Sequence, residues 1–161
     1  MIALTTLLPV TATDDTFDLG KNLYSTNYIF LDADTGQVLS AKKQDEQISI
    51  ASLTKMMTVL LAIENSSSLN QTVTITNEMI DGLYEEQASV AGYVNGDTAT
   101  VLDLCYAAAI PSAADAANAL AIQIGGSFEN FYQMMNDKAT QLGMDHTVFK
   151  SAHGLDREGQ Y

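Results

Sequence analysis

Ala51-Ser52-Leu53-Thr54-Lys55-Met56-Met57-Thr58-Val59-Leu60-Leu61-Ala62-Ile63 is the stretch on which the reading of this chain turns. From Met56 to Ile63 it is apolar almost all round, a pattern that predicts a helix sunk in a core rather than lying on a surface. Ser52 and Lys55 are three apart, so on a helix they share a face. A serine hydroxyl is a poor nucleophile at neutral pH and needs a neighbouring base. Among methionines and leucines, desolvation disfavours the ammonium form of Lys55 and makes it a candidate for that base. At a helix start, unpaired N–H groups also favour negative charge on the Ser52 oxygen. The tetrapeptide by itself fits equally an N-capping serine followed by a surface lysine, and only its surroundings decide between the two.

Upstream, Tyr28-Ile29-Phe30-Leu31-Asp32 and Gln37-Val38-Leu39-Ser40-Ala41 read as two strands around an Asp34-Thr35-Gly36 turn, a hairpin. Downstream the pattern is mainly helical. Asn65-Ser66-Ser67-Ser68 is a loop, Val73-Thr74-Ile75 a short strand, and Thr76 an N-cap for a helix from Glu78 to about Leu83. Thr100 caps a helix that ends at Pro111, and a second runs from Ala113 to Ile124 and stops at Gly125-Gly126. Ser127 caps a third, Phe128 to Leu142, closed by Gly143. There is no internal repeat, and no linker divides the chain.

The 161 residues carry 7 basic and 20 acidic side chains, a net charge of −13, which argues against a nucleic-acid partner. The carboxylates are scattered, as on a solvated acidic surface. One cysteine, Cys105, lies in an apolar helical stretch without a basic neighbour, and reads as a small buried hydrophobe. It leaves no internal disulfide, and with two histidines it offers no metal-ligand spacing; no cofactor or metal is expected. The first twelve residues are apolar and uncharged, too short to span a bilayer. Residues 1–20 are expected to be the remnant of a secretory signal, with Val10-Thr11-Ala12 as its cleavage pattern, or a disordered N-terminus.

Ala51-Ser52-Leu53-Thr54-Lys55-Met56-Met57-Thr58 closely resembles the nucleophile segment of the serine-type D-alanyl-D-alanine carboxypeptidases, the low-molecular-mass penicillin-binding proteins. Val90-Ala91-Gly92, the run Asp97 to Leu104, Pro111-Ser112-Ala113-Ala114-Asp115 through Ala121, Phe131 to Asn136, Gln141-Leu142-Gly143-Met144 and His153-Gly154-Leu155-Asp156 follow in that family's order. The resemblance covers about Tyr28 to Tyr161. It implies an α/β (α+β) fold of the β-lactamase/transpeptidase kind, of which residues 21–161 are the N-terminal part: the hairpin and a mainly helical body. The last three sheet strands, one of which carries the family's Lys-Thr-Gly motif, would lie beyond Tyr161; no Lys-Thr-Gly occurs here.

The same resemblance assigns roles. Ser52 is the nucleophile toward a peptidoglycan pentapeptide ending in D-Ala-D-Ala and toward β-lactam antibiotics. Lys55 is the base, and Ser112 relays a proton to the leaving amine, although Ser112 fits equally as a plain helix cap. The family's usual asparagine two residues after Ser112 is Ala114, which removes an amide that contacts the lysine and the substrate. His146 is expected to be exposed, and His153, in a segment similar to the family's Asn-Pro-His-Gly-Leu, to be structural. An extracytoplasmic location follows from the substrate, with membrane anchoring through a C-terminal part as one possibility. Two alternatives stand beside the leading reading: an impaired, peptidoglycan-binding pseudo-enzyme, and a class A-like β-lactamase, against which Ser112-Ala113-Ala114 in place of Ser-Asp-Asn counts.

Overall fold

The computed structural model describes residues 23–161; the expected signal remnant at 1–20 lies outside the described residues. The chain forms two compact units, Met1–Gln47 and Ile48–Tyr161, and no shift in composition marks the boundary.

In the first unit, β1 (Tyr28–Leu31) pairs antiparallel with β2 (Val38–Lys42), with an irregularity between Phe30 and Leu31. The turn is set by Asp32, whose Oδ1 accepts from the backbone N–H groups of Asp34 and Thr35 at 3.1 and 2.8 Å and from the Thr35 hydroxyl at 2.7 Å. Such an Asx turn needs a residue that tolerates positive φ to bring the chain back, and Gly36 supplies it at φ +72°.

The second unit is helical around a central α4. A 3₁₀ turn, Ala51–Leu53, leads into α1 (Thr54–Asn65). Next come β3 (Thr72–Thr74), a single helical turn α2 (Asn77–Ile80), β4 (Thr98–Thr100), α3 (Val101–Ala109), α4 (Ala114–Gly125) and α5 (Phe128–Gln141). β3 and β4 pair antiparallel, Val73 opposite Ala99. α4 packs against α1, α2, α3 and α5. Its first eight residues, Ala114 to Ala121, are all buried, and five of them are alanine, so neighbouring helices approach closely. Leu61, Ile75, Val101, Leu104, Leu120, Phe131 and Met135 fill the core between them. Each such side chain, fully buried, stabilises the fold by roughly 1.5–3 kcal/mol.

Caps appear where the sequence predicts them. Thr100 Oγ1 accepts from the Asp103 N–H at 3.1 Å while the Asp103 carboxylate accepts from Thr100 N–H at 3.2 Å, a reciprocal capping box. Ser127 Oγ accepts from Asn130 N–H at 3.1 Å, and Gly126 ends α4 in the left-handed region.

Three expectations are corrected. α1 is buried on one face only: Met56 is 71% and Ile63 53% exposed, while Lys55, Met57, Thr58, Leu61 and Ala62 face the core. The apolar run is two-sided in sequence, but α3, α4 and α5 cover one side. α2 stops at Ile80 instead of Leu83, because Asp81 turns to an extended ψ of 138°. The N-cap of α4 is Ala113, which has no capping side chain; Ser112 is used elsewhere.

Candidate active site

Ser52 stands in the 3₁₀ turn, two residues before α1, with its side chain at the surface. Lys55 is in the first turn of α1 and only 6% exposed. Its Nζ donates to Ser52 Oγ at 3.2 Å and to the His153 carbonyl at 2.7 Å. Burial pushes the Lys55 pKa below its ordinary value. In the neutral form that burial favours, an amine whose two N–H bonds point at the serine and a carbonyl keeps a lone pair with which to accept a proton.

Ser112 completes the cluster. It follows Pro111 at the end of α3, in the left-handed region at φ +62°, a conformation uncommon for a residue with a Cβ. Its hydroxyl donates to Ser52 Oγ at 2.8 Å. The three candidate residues, taken from positions up to 60 residues apart, thus meet around one oxygen. Ala114, where the family resemblance places an asparagine, lines a cavity of about 150 Å³ with Ser52, Lys55, Ser112, Gln87 and Ser89. Its methyl group gives Lys55 no partner. A second, more apolar groove of about 530 Å³ lies along Ile50, Leu53, Met56 and Val59 and reaches Ala108 and Ser112.

The floor of the site is the segment 151–154. Thr58 Oγ1 donates to the Ala152 carbonyl at 2.6 Å, and Ser151 Oγ accepts from Gly154 N–H at 3.0 Å. Gly154, at φ +83°, passes directly under the Ser52 turn: a Cβ there would overlap the Ala51 carbonyl. Ala51 is itself left-handed, at φ +46°. His153 is buried, and its Nδ1 accepts from Leu155 N–H at 3.2 Å. Burial first, then the charges of Arg157 and Lys55, lower its pKa to about 4, so it is neutral beside the lysine. His146 is exposed, and Cys105 is buried. Among the described residues no three His, Cys, Asp or Glu side chains gather as metal ligands, and no helix is long and apolar enough to cross a membrane.

Sequence reading did not identify the His153 carbonyl as the lysine's acceptor. A backbone oxygen leaves no side-chain signal. The glycine after it was the available clue.

A D-alanyl-D-alanine carboxypeptidase family model matches residues 12–161. The carboxypeptidase DacF of Bacillus subtilis is 35% identical over 139 residues, 83% of this chain and 34% of that protein. DacC of Escherichia coli is 34% identical over 145 residues, 83% of this chain and 35% of DacC. The crystal structure of a Streptomyces DD-transpeptidase superposes with a TM-score of 0.77 at 33% identity, covering 83% of this chain and 53% of that one. Penicillin binding protein 6B of Escherichia coli gives 0.77 at 32% identity, covering 83% and 44%. The chain therefore spans about a third of the two curated relatives and about half of the solved structures, and shares their transpeptidase-like fold over that span. The cluster around Ser52 and the match along the chain lead to one assignment: this chain belongs to the D-alanyl-D-alanine carboxypeptidase family.

Proposed function

We propose that the protein is a serine D-Ala-D-Ala carboxypeptidase that works through an acyl-enzyme on Ser52. The observation that carries the reading is the convergence of Lys55 Nζ and Ser112 Oγ on Ser52 Oγ, at 3.2 and 2.8 Å. In the acylation step Ser52 Oγ attacks the carbonyl carbon between the last two D-alanines of a peptidoglycan stem peptide. Lys55 takes the hydroxyl proton; as the peptide bond breaks, Ser112 gives its proton to the amine nitrogen and receives one back from Lys55, which returns to its neutral form. D-alanine leaves, and water hydrolyses the ester with Lys55 again as base. A β-lactam reacts by the same attack. Its amide is in a ring, so the leaving nitrogen stays tethered and the acyl-enzyme persists. Peptidoglycan as substrate places the protein outside the cytoplasmic membrane.

The test is covalent labelling by a fluorescent penicillin, with intact mass and peptide mapping, run on residues 1–161 and on the longest reading frame that contains them. One adduct on Ser52 is expected, absent from Ser52→Ala. D-alanine release from a D-Ala-D-Ala peptide then separates turnover from binding alone. Labelling that survives Ser52→Ala overturns the assignment of the nucleophile. A Ser52 adduct with no D-alanine release by the longest frame favours the pseudo-enzyme instead.

A further inference from the structure

Asp115 is a buried carboxylate that the chemistry above does not use. It is 2% exposed, in the first turn of α4, three residues after Ser112. Among the described residues no lysine, arginine or histidine pairs with it; its partners there are backbone N–H groups. Oδ1 accepts from Ala91 at 2.9 Å, and Oδ2 accepts from Gly92 at 2.9 Å and Tyr93 at 3.1 Å. Oδ1 also accepts from Ala116, within α4, at 2.9 Å.

The beginning of α4 explains why this matters to the reaction. A helix leaves its first N–H groups without partners, and a capping side chain normally takes one of them. Here the N-cap is Ala113, which can take none. The donors are satisfied from elsewhere: Ala113 N–H by the Ala107 carbonyl at 3.0 Å, Ala114 N–H by the Ser89 carbonyl at 2.7 Å, and Ala116 N–H by Asp115 itself. The adjacent Ser112 hydroxyl is free of the helix end and reaches Ser52. The same carboxylate ties residues 91–93 to the helix, and through them the Ser89 segment that forms one wall of the 150 Å³ cavity.

We infer that Asp115 is a positioning residue: it stands in for the missing cap of α4 and clamps the 91–93 loop, and so holds Ser112 in its left-handed turn with the hydroxyl on Ser52. The inference rests on the Ser52 acyl-enzyme reading. It also carries a consequence independent of acylation, which keeps the two separable.

The test is a double-mutant cycle. Asp115→Asn keeps the shape but turns an N–H₂ toward N–H donors, so the clamp cannot be made in full. Acylation by labelled penicillin is measured for wild type, Asp115→Asn, Ser112→Ala and the double variant, each at a temperature where circular dichroism shows it folded. Asp115→Asn is expected to slow acylation at least tenfold. In the Ser112→Ala background it should cost less than a further twofold, because the residue through which it acts is already gone. A change in the general stability of the fold would lower both backgrounds alike. Amide exchange supplies the activity-free readout: Ala91, Gly92 and Tyr93 should lose protection at least tenfold in Asp115→Asn. Acylation within threefold of wild type, a double variant at the product of the single losses, or unchanged protection at 91–93 each overturns the inference. If Asp115→Asn does not fold, Asp115→Glu is measured against the same criteria. A wild-type protein that takes no label at Ser52 while the 91–93 amides respond as expected refutes the acyl-enzyme reading and not the clamp.

Discussion

Gly154→Ala is the most direct probe of how the turn that carries Ser52 is held. The added Cβ would overlap the Ala51 carbonyl oxygen and lie 2.6 Å from its carbon and 2.8 Å from Thr54 Oγ1. None of these is the end of a flexible side chain: two are backbone, and Thr54 is fully buried. The variant also asks an alanine to adopt φ +83°. That conformation costs an L-residue about 1–2 kcal/mol, and overfilling a packed site costs about 1–3 kcal/mol. Together the loss is roughly 2–5 kcal/mol, large against the ~5–15 kcal/mol that a domain has in total. At about 2–4 °C per kcal/mol for a chain of this size, the melting temperature should fall by about 4–20 °C. Relief of the overlap moves either Ala51 with Ser52, or the 153–154 segment with the carbonyl that holds Lys55. A displacement of about 1 Å between reacting groups costs on the order of 10²-fold in rate. The assays are thermal denaturation and the rate of penicillin acylation. A variant that melts within 2 °C of wild type and acylates at its rate would show that Gly154 is no constraint on the turn.

Lys55→Arg keeps a positive charge but has no accessible neutral form, since guanidinium titrates above ~12; acylation should fall by orders of magnitude, and near-normal labelling would mean that another group is the base. The wild-type acylation rate should rise with pH through a Lys55 pKa below the usual lysine range; in the same window, from that lowered value up to about 10.5, the unfolded chain binds more protons than the folded one, so stability also rises with pH. His153 gives the acid-side counterpart: with a folded pKa of about 4 against an ordinary 6.5, stability should drop by roughly 3 kcal/mol as pH falls through that interval, the unfolded chain again binding the extra proton. Urea melts between pH 7 and 4.5 should show the slope, and His153→Gln should flatten it; an equal slope in the variant would place the titration elsewhere. Ala114→Asn, filling part of the 150 Å³ cavity beside Lys55, should speed acylation about tenfold to a hundredfold by restoring one polar contact; an unchanged rate would show that the site works with a methyl group there.

The parts of this structure that were legible in the sequence are those set by side chains acting locally. Thr100 with Asp103, Ser127, and the glycines at 36, 126 and 143 mark their turns and helix ends through contacts a few residues long. The Ser52–Lys55 pair belongs with them in part: its three-residue spacing brings the two side chains together, but only the apolar residues around it tell that the lysine is buried. What escaped was carried by backbone groups over long separations. The acceptor of Lys55 is a carbonyl 98 residues away, and three of the partners of Asp115 are amides 22 to 24 residues before it. Neither leaves a mark on residue type. Ser112 fell between the two cases. Its sequence position fits a cap, and only the use of other acceptors at the start of α4 shows why it is not one. The one-sided burial of α1 was hidden for another reason: a run of apolar residues does not say which face its neighbours cover.

The oxygen that holds Lys55 belongs to the main chain at position 153. Any amino acid placed there would present the same atom. The proposed base, Lys55, is therefore insulated from point substitution at its own anchor, and changes in residue identity cannot delete the contact. Conformation can. Substitutions that loosen this contact have to act through the shape of the chain, at Gly154 and at the left-handed Ala51 beside it, and a scan of side-chain chemistry at 153 would miss them.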